Sequence, residues 1–85
     1  MSLTSQAITV GITVTRIAQA AGSPLQLELY NNSQHAIYFG GSNVTTTNGF
    51  HLDKNLSYSI TLYPGNTLYA IAASPAALNV LGQQL

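Results

Sequence analysis

Charge is what this sequence has least of: among 85 residues only Arg16, Glu28, Asp53 and Lys54 carry a formal charge, and they cancel. A net charge of zero leaves no long-range field to steer a charged partner. Binding a phosphate backbone takes several clustered basic side chains, so one Lys and one Arg exclude nucleic acid as an expected partner. Cysteine is absent. No disulfide and no thiolate metal site can therefore staple the interior, and the redox compartment is not legible. Long apolar runs are missing as well. The longest, Leu68-Tyr69-Ala70-Ile71-Ala72-Ala73, is far below the roughly 20 residues a membrane-spanning helix needs. The start, Met1-Ser2-Leu3-Thr4-Ser5-Gln6, shows neither a basic n-region nor an apolar h-region, so neither a secretory signal nor membrane insertion is expected.

What is present is a period of two. Ile8, Val10, Ile12 and Val14 alternate with Ala7, Thr9, Gly11, Thr13 and Thr15, which assigns one face to a core and the other to a surface. Ile17 breaks that phase beside Arg16 and predicts a bulge or a short linker. Ala18 to Ser23 reads as a loop before Pro24. Leu25, Leu27 and Leu29 restart the alternation against Gln26, Glu28 and Tyr30, and Asn31-Asn32-Ser33 closes that strand. Ala36 to Phe39 is the next strand, stopped by Gly40-Gly41. After the polar stretch from Ser42, Asn48-Gly49 signals a hairpin turn into Phe50-His51-Leu52. Asp53-Lys54-Asn55 is another turn. Tyr58, Ile60 and Leu62 face one way, with Ser57, Ser59, Thr61 and Tyr63 opposite, and Pro64-Gly65-Asn66 turns the chain into Thr67 to Ala73. Ser74-Pro75 ends that strand, and Leu78 to Leu81 makes a last short one, with a helical turn over Ala76 to Leu81 as the alternative.

Turn signals every 8 to 12 residues or so, with no sustained helical period, predict an all-β fold: a small antiparallel β-sandwich or jelly-roll-like barrel of about seven or eight short strands. There is no internal repeat and no linker, so residues 1–85 read as a single domain with its body from about residue 6 to residue 82. The first few residues and Gln83-Gln84-Leu85 are the expected mobile or exchanged ends. A domain of this size buries only about 60 to 65% of the surface its unfolded chain exposes, so partners would help it.

Candidate chemistry is thin. His51 and Asp53 are two apart and share a face if the strand continues, which suits an orienting pair or half a metal site. A nucleophile is also required, and no strained Gly-x-Ser-x-Gly turn supplies one. His35, His51, Asp53 and Glu28 lack recognisable ligand spacing, so no metal and no cofactor are expected. Gly40-Gly41-Ser42 lacks the Lys and the helix of a phosphate cradle, and its glycines are expected to adopt positive φ at a tight bend. Three Asn-x-Ser/Thr triplets, at Asn31, Asn43 and Asn55, read as turn residues. The tyrosines carry more information, because a phenol combines apolar area with one polar tip. Tyr58 is in phase with the core. Tyr30 and Tyr63 are out of phase, and with the uncharged run Thr45-Thr46-Thr47 they are the candidate interface.

From Leu27 onward the order of elements has a counterpart. The pattern Tyr38-x-Gly40-Gly41-x-x-Val44-Thr45-x-x-Asn48-Gly49, followed by Leu68-Tyr69-Ala70-Ile71-Ala72, resembles a group of small β-sandwich virion proteins of tailed bacteriophages. The likeness covers about half the chain, and the sequence departs from the group's pattern at Asp53-Lys54-Asn55 and at Gly22-Ser23-Pro24. In such a fold Gly40-Gly41, Asn48-Gly49 and Pro64-Gly65 serve as structural turns, and Leu68 to Ala73 fills the sandwich with alternating large and small side chains. The resemblance implies a capsid decoration, or cement, protein or, less specifically, a minor structural component of head or tail. It would bind the outer surface of the major capsid protein, be made in the host cytoplasm, and self-associate at a symmetry axis, with a trimer as one arrangement. An ordinary domain covers roughly a quarter to a third of its surface with charges, so a neutral exterior suits burial against other protein. Two rival expectations stand beside this one: a receptor- or carbohydrate-binding module using outward tyrosines, and a small hydrolase using His51.

Overall fold

The alternation becomes eight strands in a computed structural model, which describes residues 3–85. They are β1 (Leu3–Val10), β2 (Thr15–Gln19), β3 (Leu25–Asn31), β4 (Ile37–Gly40), β5 (Phe50–Leu52), β6 (Ser57–Leu62), β7 (Thr67–Ala72) and β8 (Ala76–Gln84). One sheet has the order β1-β8-β3-β6, the other β2-β7-β4-β5, and every pairing is antiparallel. Each connection except β4–β5 carries the chain from one sheet to the other. That is the jelly-roll arrangement, an all-β sandwich as the alternation predicts.

The core lies between the sheets. Leu27, Leu29, Leu78, Val10 and Val80 from the first sheet meet Ile37, Phe39, Leu68, Ala70 and Ala72 from the second, all buried. Leu25–Asn31 behaves as its phase predicts: Leu27 and Leu29 point in, while Glu28 and Tyr30 are exposed. Tyr58 and Ile60 pack partly against the core. At Pro64-Gly65, the Asn66 N–H donates to the Tyr63 carbonyl (2.9 Å), and Gly65 has φ 93°. Pro at the second and a positive-φ Gly at the third position make this a type II turn.

Four expectations are corrected. Ile12 and Val14 do not continue the core face of β1; they are 66% and 40% exposed in the crossing to β2. Two sheets stand about 10 Å apart, and a chain crossing between them leaves both inner surfaces. The last strand is not short: β8 runs nine residues and lies between β1 and β3. Gln83 and Gln84 are paired within it. β7 fills the core with Leu68, Ala70 and Ala72 and turns its other large residues, Tyr69 and Ile71, half-buried to the outer face. Finally, the β4–β5 connection is a loop over residues 41–49, and neither Gly40, Gly41 nor Gly49 has a positive φ. A two-residue Asn-Gly hairpin would need that conformation. The glycines instead allow close approach. A Cβ on Gly49 would lie 2.6 Å from the Tyr38 Cβ and 2.9 Å from the Thr45 carbonyl oxygen, and one on Gly40 would lie 3.1 Å from Val44 Cγ2. The bulge expected near Ile17 is present, as a register shift between Arg16 and Ala18.

Asn31 is the one fully buried polar residue described. Its Nδ2 donates to the carbonyls of His35 (2.8 Å) and Leu52 (3.0 Å), and its Oδ1 accepts from Ser33 Oγ (2.6 Å). Its backbone exchanges bonds with Leu56 and Asn55. One side chain thus ties β3, the β3–β4 loop and β5 together. The phase of Leu25, Leu27 and Leu29 already points position 31 inward.

Candidate functional site

Strand register assembles the outer face of the first sheet row by row. Ser5, Leu81, Glu28 and Ser59 lie side by side across β1, β8, β3 and β6; the next row is Ala7, Asn79, Tyr30 and Ser57. A third row is Leu3, Gln83, Gln26 and Thr61, in which the Thr61 hydroxyl donates to Gln26 Oε1. Glu28 is the only ionised side chain in these rows. Leu3, Tyr30 and Leu81 are large apolar groups exposed there, at 66%, 39% and 42%. An open depression of about 550 Å³ is lined by Ser5, Ala7, Glu28, Tyr30, Asn79 and Leu81. Such a face offers amide and hydroxyl partners around a small apolar centre, with little charge to desolvate, which is the make-up of a protein-contact surface.

The outer face of the second sheet differs. Tyr38 lies opposite both Ile71 and His51, and Arg16 opposite Tyr69. The Tyr38 and His51 rings are 5.2 Å apart. Tyr38, Tyr69 and Ile71 are half-buried, while His51 and Arg16 are exposed, so the large apolar groups of this face offer less free area. Sequence reasoning missed Tyr38, Tyr69 and Ile71 as outward residues; the alternation with Leu68, Ala70 and Ala72 was the available signal.

The predicted interface residues are not brought together. Tyr30 sits beside the β5–β6 turn, its hydroxyl 3.5 Å from Asn55 Oδ1. Tyr63, 62% exposed, follows the far end of β6. Tyr30 pairs with Ser57 and Leu25 with Leu62, so the two phenols mark opposite ends of the sheet. Thr45, Thr46 and Thr47 belong to the β4–β5 loop, at the Tyr63 end. There the Thr45 hydroxyl accepts from the N–H groups of Thr47 and Asn48 (3.2 Å each), and Asn48 Oδ1 accepts from the Thr45 N–H (2.7 Å). Thr45 is thus committed to its own loop, leaving Thr46 and Thr47 outward.

His51 Nε2 lies 3.0 Å from Asp53 Oδ1, with both side chains at least half exposed. No Ser or Thr hydroxyl joins them among the described residues, so the pair lacks the nucleophile that hydrolysis needs. His35 is in the β3–β4 loop and Glu28 on the first sheet's outer face, so these side chains do not converge with His51 and Asp53. No group of three or more His, Cys, Asp or Glu side chains suited to a metal ion occurs among the described residues. No helix is long and apolar enough to cross a membrane among them.

No family model matches the chain, and no curated protein matches it significantly. Among solved structures, the fold is similar to a chain of the Bacillus endospore appendages, described as a novel family of disulfide-linked pili. The TM-score is 0.52 at 16% identity, over 99% of this chain and 86% of the other. At that identity the likeness is one of fold: an all-β fold that also occurs in a structural, fibre-forming protein.

Proposed function

We propose that this chain is a non-enzymatic structural protein of a tailed-phage particle, a decoration protein that lies on the outer surface of the major capsid protein and stabilises the shell. The observation that carries this reading is the neutral outer face of the first sheet, where Leu81, Tyr30 and Leu3 stand exposed among hydroxyls and amides with Glu28 as the lone charge. The resemblance of residues 27–73 to virion β-sandwiches supplies the setting. The pilus likeness is in keeping with an assembly role, although a chain without cysteine cannot copy disulfide linkage. Binding only the assembled shell stabilises that state by mass action, and many copies around a capsid turn a modest contact into high avidity. Self-association belongs to the same reading.

A carbohydrate-binding module would need neighbouring exposed rings to stack on a sugar, and Tyr30 and Tyr63 are a sheet's length apart. That rival therefore has less support. The test is copy number in purified particles together with co-sedimentation of the purified chain with shells lacking it. Hundreds of copies per particle and saturable shell binding are expected. A dozen or fewer copies, or no shell binding, would overturn the decoration role.

A further inference from the structure

A jelly roll leaves four strand edges, and here they are unequal. β2 is broken by its bulge and carries Arg16, and β5 is three residues long. β6 is shorter, at six residues, and its Tyr58 ring packs against that of Phe50 at 4.6 Å. β1 is the longest at eight residues, and LTSQAITV contains no charge, proline or glycine. Natural edge strands normally carry such blunting devices, because a row of unpaired N–H and C=O groups is a template for another strand. Burial shows where the free edge stops. Leu3 to Thr9 are exposed or half-buried, whereas Val10 is fully buried. Thr4 and Gln6 point toward the inner side yet remain exposed, lining an open cavity of about 220 Å³ together with Ile17, Ala18 and Gln19 of β2.

We infer that two copies of this chain pair through β1, antiparallel about a two-fold axis at Gln6, joining their first sheets into one eight-stranded sheet. Gln6 is placed at the axis because it lies within the exposed run Leu3 to Thr9 and its amide can bond to a copy of itself. The register then sets Ser5 opposite the partner's Ala7, Thr4 opposite Ile8 and Leu3 opposite Thr9, each pair on one face as antiparallel pleating requires. At the axis the two Gln6 amides meet, and each is both donor and acceptor. No ionised group lies on either strand to oppose the approach. Pairing also makes the neutral outer faces of both copies continuous, although it does not depend on what those faces bind.

The test is light scattering on a sizing column at tens of micromolar, with shell binding measured on the same samples. The wild-type chain is expected at twice the chain mass. Ser5→Lys with Ala7→Lys places like charges opposite each other at two sites and is expected to halve that mass with unchanged circular dichroism. Ser5→Lys with Ala7→Asp places opposite charges there and is expected to restore it. A wild-type monomer, a trimer, or a dimer indifferent to the Lys/Lys change would overturn the pairing. Shell binding by a monomeric wild type would refute this inference alone, whereas a β1 dimer that ignores shells would refute only the decoration role.

Discussion

The two sheets share one core but differ outside. The first presents mostly uncharged side chains around Leu81, with Glu28 as the one charge beside it. The second presents half-buried Tyr38, Tyr69 and Ile71, with the Tyr38 ring beside that of His51 and the β4–β5 loop packed close to Tyr38 at Gly49. One outer face is free to be covered by a partner; the other is already partly covered by itself. Exposed area, more than apolar content, separates a docking surface from a braced one.

That contrast can be broken in order of effect. Asn31, which ties β3 to β5 and so links both sheets, is the largest lever. Asn31→Leu removes the Nδ2 bonds to the carbonyls of His35 and Leu52, leaving His35 to the Ser33 hydroxyl, and is expected to destabilise the fold by about 3 kcal/mol in denaturant unfolding. Glycine-to-alanine changes separate the sheets next. Gly49→Ala in the loop against the second sheet drives a methyl against Tyr38 and Thr45, for an expected loss of about 2 kcal/mol. Gly82→Ala on the first meets nothing nearer than Leu27 Cδ2 at 3.4 Å, and stiffening of the unfolded chain offsets the contact to within about 1 kcal/mol. If both behave alike, the distinction between a braced and an open sheet fails.

Smaller effects concern binding. Leu81→Lys is expected to weaken shell binding at least tenfold, about 1.4 kcal/mol, while leaving stability within about 0.5 kcal/mol. Gln19→Lys, on the second sheet, should leave binding unchanged in the same co-sedimentation assay. The smallest effect is that of salt. Because the proposed contact face carries Glu28 as its one charge, raising sodium chloride from about 0.05 to about 0.5 M is expected to change binding by less than about twofold.

Much of this molecule was legible in the alternation of its residues. Leu25 to Tyr30 and Tyr58 to Leu62 read correctly because each strand keeps its phase from end to end, and the Ile17 bulge announced itself as a phase error. Ile12 and Val14 misled because alternation does not mark where a chain leaves one sheet for another. β8 was underestimated because Ala76-Ala77 and Gln83-Gln84 have weak strand preference, and their conformation is imposed by β1 and β3 on either side. Gly49 could not be understood locally, since its constraint is a contact with Tyr38 eleven positions away. The outward phase of Tyr30 and Tyr63 was readable, but their separation depends on strand register.

The central claim is that the outer face of the first sheet is covered by protein in the assembled particle. Hydroxyl-radical footprinting of the chain, free and on shells, with labelling read at Tyr30, Leu81, Tyr38 and Tyr69, tests it most directly. Strong protection of Tyr30 and Leu81 on shells, with Tyr38 and Tyr69 unchanged, is the expected result. Equal labelling of Tyr30 and Leu81 in both states would contradict it.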